Sequence, residues 1–172
     1  MKDLADWLST TWLSVLIQRN ESWVIPTTQS IHIIGVSIVL ACVLMMTLRV
    51  LGIAGADRTL LQTQQRFGPW LTGALLVLLA TGLALVVGEP SRELLSFSFW
   101  LKMILVACGA GLACWFQLSV RRRERAWESL LLHRARVRVL AAAALVIWIA
   151  IIFLGRFIAY DHIWGSLSRS KA

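Results

Sequence analysis

The sequence predicts an all-α integral membrane protein: a four-helix bundle preceded by an amphipathic helix at the membrane interface. Three observations predict it. First, 58% of the 172 residues are hydrophobic and only 15% are charged, against roughly 25% charged in soluble domains. A soluble fold of this size could not hide so much apolar surface, so the excess must face lipid. Second, four charge-poor apolar stretches each approach the roughly 20 residues needed to cross the hydrocarbon core. Third, the basic residues are spread very unevenly between the loops, as membrane topology requires. The chain reads as one membrane domain over 1–172.

Residues 4–18 place Leu4, Trp7, Leu8, Trp12, Val15 and Leu16 at helical spacing, with Asp3, Asp6, Ser9 and Ser14 largely elsewhere. The segment is too polar to span, which points to a helix lying in the interface or packed on the bundle. With early acids and no sustained apolar run, the N-terminus does not resemble a cleavable signal peptide. Pro26 suits the first turn of a helix, where no backbone donor is needed, and opens a span over 27–50. Gly52 and Gly55 break it. Pro69 opens the second span, 70–87, which Gly88-Glu89-Pro90 ends. The third span covers 97–120 and the fourth 139–158.

With four spans, the loops after the first and third share one side with ten basic and three acidic residues, a net +7. The termini and the middle loop share the other, with seven basic and six acidic residues, a net +1. The positive-inside rule therefore places both termini outside, in the periplasm if the membrane is a bacterial inner membrane. Trp7, Trp12, Trp23, Trp100 and Trp164 then fall near the outer boundary, and Trp70, Trp115 and Trp127 near the inner one, where indole rings are favoured. The basic segment 121–138 is a topology determinant that could also attract anionic lipid headgroups. The total charge of +8 is accounted for by span ends, so nucleic acid is not expected as a partner.

Cys42, Cys108 and Cys114 all lie in spans. An odd number without CxxC or Cys/His spacing predicts neither a disulfide nor structural zinc, only small packing residues. The small residues of span three (Ala107, Cys108, Gly109, Ala110, Gly111, Ala113, Cys114) predict a close-packed helix face. Phosphate loops, HExxH and GxSxG motifs are absent from the sequence, and no carboxylate falls within a span, which disfavours a proton-driven transporter.

The polar residues that remain share one depth. His32 lies six residues after Pro26, about 9 Å below the outer helix end at 1.5 Å per residue. Gln29 is one turn above it. Lys102 enters span three from the same side, and Arg156 and Tyr160 occupy the last turns of span four. Ionisable groups inside a membrane are costly and so are functional candidates, although the cations can also snorkel to headgroups and His32 can serve as an interhelical hydrogen-bonding group. Three uses fit the cluster. His32 could be the metal ligand of haem b, with Lys102 and Arg156 pairing with propionates and Met45 or Met103 as a poor second ligand. The cations and His32 could instead bind an anion or a quinone headgroup. Or the cluster could simply lock helix register in an anchor or accessory subunit of a larger complex, with a periplasmic or membrane protein as partner.

The run Trp23, Pro26, Gln29, His32, Gly35 at three-residue spacing, followed by Leu48-Arg49 and Leu51-Gly52, resembles an uncharacterised family of small bacterial four-span membrane proteins. The pieces Phe99-Trp100-Leu101-Lys102 and Gly155-Arg156-Phe157-Ile158-Ala159-Tyr160 resemble it too. More distantly, His32, Arg49 and Lys102 are similar to a first-span histidine, an inner-end arginine and a third-span lysine in CopD-type copper-resistance proteins and HemJ-type protoporphyrinogen oxidases. The HemJ-type likeness implies haem b and a redox-linked role. The HemJ-type histidine and acidic features of the later spans are missing here, as are Met-rich copper motifs, so oxidase activity and copper or solute carriage are weaker implications. Whether the chain is an enzyme is left open by the sequence.

Overall fold

The computed structural model describes residues 2–55, 57–94, 96–122 and 135–157. These residues form helices and no strand: α1 (Lys2–Ser9), α2 (Trp12–Arg19), α3 (Glu21–Leu51), α4 (Leu60–Gly88), α5 (Pro90–Leu94), α6 (Phe97–Arg122) and α7 (Ala135–Phe157). α3, α4, α6 and α7 are long and apolar enough to cross a membrane, so the architecture is an all-α four-helix membrane bundle. Tyr160, His162, Trp164, the end of the fourth span at Ile158, and the 123–134 part of the basic segment with Trp127 and His133 lie outside the described residues.

The N-terminal helix expected over 4–18 is two helices. Ser9, Thr10 and Thr11 are the cause. Thr10 Oγ1 donates to the Trp7 carbonyl at 2.7 Å and Thr11 Oγ1 to the Leu8 carbonyl at 2.6 Å. The backbone amides of both threonines bond three residues back to the same carbonyls. Hydroxyls that capture the terminal carbonyls of a helix offer the chain an alternative to continuing it. α2 then docks on the bundle: buried Ser14 donates from Oγ to the Val87 carbonyl of α4 at 2.7 Å, and Gln18 donates to Ser14 Oγ at 2.9 Å. Trp7, Trp12, Leu13 and Leu16 remain exposed, so the pair keeps an apolar surface for lipid while being tied to the bundle.

Pro26 and Pro69 are inside helices rather than in their first turns. α4 starts nine residues before Pro69 because Thr59 and Gln62 form a capping box, the Thr59 hydroxyl accepting from the Gln62 amide and the Gln62 side chain from the Thr59 amide. That box satisfies two otherwise orphaned donors, and the helix it starts tolerates one missing backbone bond at the proline. α3 ends as expected near Gly52, which adopts φ 74°. Its amide bonds to the Arg49 carbonyl and the Ile53 amide to the Leu48 carbonyl, the pattern of a Schellman stop that glycine makes without strain.

α3 pairs most extensively with α4. α7 lies against both α3 and α6, whereas α4 and α6 meet along a shorter seam. The core follows this order: Val39, Cys42, Val43 and Met46 of α3 pack with Leu71 and Ala74 of α4 and with Trp148 and Ile151 of α7. α3 and α4 approach closely at Gly35, where a Cβ would come within 3.0 Å of the Leu78 side chain. The small-residue face expected on α6 is narrower than the sequence suggested. Gly109 is buried against the Trp148 indole, but Ala107, Cys108, Gly111 and Cys114 are exposed. Exposed to lipid, small side chains gain nothing from a partner helix. All three cysteines are free thiols and only Cys42 is buried.

At the end of the bundle where α3 stops and α4 starts, buried Gln64 of α4 bonds to Gln117 of α6 at 3.4 Å and accepts from Arg121 Nε at 3.4 Å. Gly68 leaves room for this pair, since a Cβ there would meet Gln64 Nε2 at 2.6 Å.

Replacement of Ser14 by alanine removes the bond to the Val87 carbonyl. Hydrogen–deuterium exchange in residues 2–19 is expected to rise while amides of α3 and α4 remain protected. Unchanged exchange in the N-terminal pair would contradict its docking through Ser14.

Candidate functional site

His32 is on α3, one turn before Gly35, so the close approach of α3 and α4 brings its ring against α4. His32 Nδ1 lies 2.8 Å from Thr81 Oγ1. The ring also sits over Gly82, whose Cα would carry a Cβ 3.7 Å from His32 Cε1. Thr81 Oγ1 donates its single proton to the Val77 carbonyl at 2.7 Å. A hydroxyl has one donor, so toward His32 the Thr81 oxygen acts as acceptor. With the Thr81 hydroxyl donating to Val77, the arrangement favours the tautomer with the proton on Nδ1 and the lone pair on Nε2.

Lys102, half-buried on α6, lies against α7: its Nζ is 3.6 Å from the position of a Cβ at Gly155. Four helices thus contribute to one depth: α3 and α4 the imidazole and its orienting hydroxyl, α6 the ammonium, α7 the glycine that admits it.

The other residues expected here behave differently. Gln29 is exposed, as is Arg156 beside Gly155, and Tyr160 is beyond the described residues. Arg49 is remote from the cluster. It is 17 residues from His32 on the same helix, roughly 25 Å along the axis. Its Nε donates to the Arg58 carbonyl at 2.7 Å, tying α3 to the inner loop. Met45 and Met103 are exposed. Among the described residues no group of three or more His, Cys, Asp or Glu side chains is arranged to hold a metal ion, so His32 is a single ligand donor.

Sequence reasoning missed Thr81 and Gly82. The signal was present: Thr81 precedes Gly88 by about the interval that separates His32 from Pro26, so the two polar residues share a depth on consecutive antiparallel helices. The Gln64–Gln117–Arg121 network was missed because a helix start at Pro69 leaves Gln64 in a loop.

The model of a family of unknown function, DUF6644, matches residues 4–161, and the chain belongs to that family. No curated protein and no solved structure matches the chain. The likeness to CopD-type and HemJ-type proteins accordingly rests on the residue pattern of His32, Arg49 and Lys102 alone.

Replacement of Thr81 by valine preserves shape and removes the acceptor at Nδ1. In ¹⁵N spectra of protein labelled at histidine, His32 is expected to be the Nδ1–H tautomer in the parent and to shift toward the Nε2–H tautomer in Thr81→Val. A spectrum showing Nε2–H in the parent would contradict the assignment.

Proposed function

We propose that this family member is a small redox-linked protein of the bacterial inner membrane, with both termini in the periplasm and a haem b site in the periplasmic half of its bundle. One observation supports the reading: Thr81 Oγ1 lies 2.8 Å from His32 Nδ1, and with the proton on Nδ1 the lone pair is on Nε2. Metal-ligating histidines characteristically donate their other ring N–H to such an orienting acceptor. Among the described residues the donor set is one imidazole and two cations, with Met45 and Met103 exposed. Neutral imidazole is an iron ligand, and cations at the same level suit the anionic propionates. His32 would hold the iron, and Lys102 and Arg156 would take the propionates, with Gln29 and Tyr160 at the rim. Haem would supply one-electron chemistry. The chain's own part is to orient the imidazole and to neutralise the carboxylates. The resemblance to HemJ-type proteins points the same way.

A second reading, a non-catalytic anchor or accessory subunit, draws on a separate feature. The α1–α2 pair is fixed to the outer end of α4 and still exposes Trp7, Trp12 and Leu16, a surface a periplasmic or membrane partner could cover. Carriage of copper or another solute has no comparable feature behind it.

Visible absorption of detergent-purified protein, produced with ample haem, separates the two. The haem reading expects a Soret band that His32→Ala abolishes in folded protein and that Thr81→Val weakens, with haem affinity falling about 10- to 100-fold as for other orienting partners. No band overturns it. A co-purifying protein retained by His32→Ala and lost on deletion of residues 2–19 would establish the anchor reading instead.

A further inference from the structure

The inner half of the bundle contains a feature the proposed site does not use. An apolar cavity of about 70 Å³, open along one side, lies among α3, α6 and α7, with Leu71 of α4 at its base. Its walls include Thr47, Trp115, Phe116, Ala141, Ala144 and Trp148. The single hydroxyl among them, on Thr47, is spent on the Ala141 carbonyl at 3.3 Å, so the wall offers an occupant mainly apolar contact. Trp115 of α6 and Leu140 of α7 are the strongly exposed members, which puts the mouth on the α6–α7 side, facing acyl chains.

Cationic residues stand at the inner end of the same two helices. Arg122 follows Trp115 by seven residues, two turns along one face of α6, and Arg138 precedes Ala141 by three on α7. Both arginines are exposed. An apolar slot between two helices that each carry an exposed arginine beyond its lining residues matches one kind of molecule: an anionic lipid, with a chain in the slot and a phosphate at the rim. Guanidinium pairs with phosphate in a bidentate manner. The ten-to-three excess of basic residues on this side adds long-range attraction for the same headgroups.

We propose that the α6–α7 crevice is a binding site for an anionic phospholipid, which inserts one acyl chain between Trp115 and Trp148 and sets its phosphate against Arg122 and Arg138. The site is separate from His32 in depth and in chemistry, so it stands or falls independently of haem binding. Bound there, the lipid completes the packing of α6, which shares only a short seam with α4.

Because two indoles line the slot, tryptophan quenching reads its occupancy. The full chain is reconstituted in phosphatidylcholine bilayers containing a small fraction of either phosphatidylglycerol or phosphatidylcholine with brominated acyl chains. The proposal expects brominated phosphatidylglycerol to quench at lower mole fraction, the excess vanishing in Trp115→Phe/Trp148→Phe. Each arginine changed to glutamine should shift the phosphatidylglycerol curve toward the phosphatidylcholine curve by about fivefold in mole fraction. Ala144→Phe, which fills the slot, should abolish the excess. Superimposable curves for the two lipids in the unaltered protein overturn the proposal, and that comparison needs no variant to fold. An excess that persists in Ala144→Phe would show a headgroup annulus without an inserted chain and would also overturn it.

Discussion

The structure depends on a constraint that the bilayer imposes: a polar group below the headgroups must find its partner inside the protein. On α3 and α4 that constraint is met by one interhelical bond. His32 Nδ1 faces Thr81 Oγ1, and the same threonine returns its proton to its own helix at Val77. The bond forms where glycine has already brought the helices together, since Gly35 admits the Leu78 side chain one turn deeper and Gly82 lies under the imidazole. Interhelical hydrogen bonds in membranes are individually worth about 1 kcal/mol. Here the larger consequence is orientation, because a ring held at one nitrogen presents the other in a fixed direction.

The two halves of the bundle are chemically distinct. One half holds the imidazole of His32 against Thr81 and the ammonium of Lys102 against Gly155. The other half has an apolar crevice whose walls include tryptophan and alanine, and it also holds the Gln64–Gln117–Arg121 network. α6 takes part in both. Lys102 enters near its start and Trp115 to Arg122 form its end, so whatever occupies either site bears on the placement of the same helix. Its modest burial within the bundle leaves lipid or ligand to supply the remaining contacts.

The sequence made the membrane class and the four crossings legible because hydropathy, loop charge and the glycine at position 52 all report on the same physical boundary. It misplaced helix starts where two signals competed. Proline at 69 advertises a first turn, yet Thr59 and Gln62 advertise an earlier one, and the capping box won, whereas α3 starts at Glu21, before Pro26, without a side-chain cap. It divided residues by depth but not by direction. His32, Gln29 and Arg156 sit at similar levels, and only the packed bundle distinguishes the half-buried imidazole from the exposed amide and guanidinium. Thr81 escaped notice because a lone threonine in a span satisfies itself on its own helix as often as it serves a neighbour. Here it does both.

The central claim is that His32 turns into the bundle toward Thr81 rather than out to lipid. Oxidative cross-linking tests it most directly. In protein with Cys42, Cys108 and Cys114 changed to alanine, cysteine is introduced in place of His32 and Thr81 together, and separately in place of Ile33 and Thr81. The account predicts rapid disulfide formation for the first pair and little for the second, because Ile33 is exposed on another face of α3. Efficient cross-linking through position 33, with none through position 32, would contradict it.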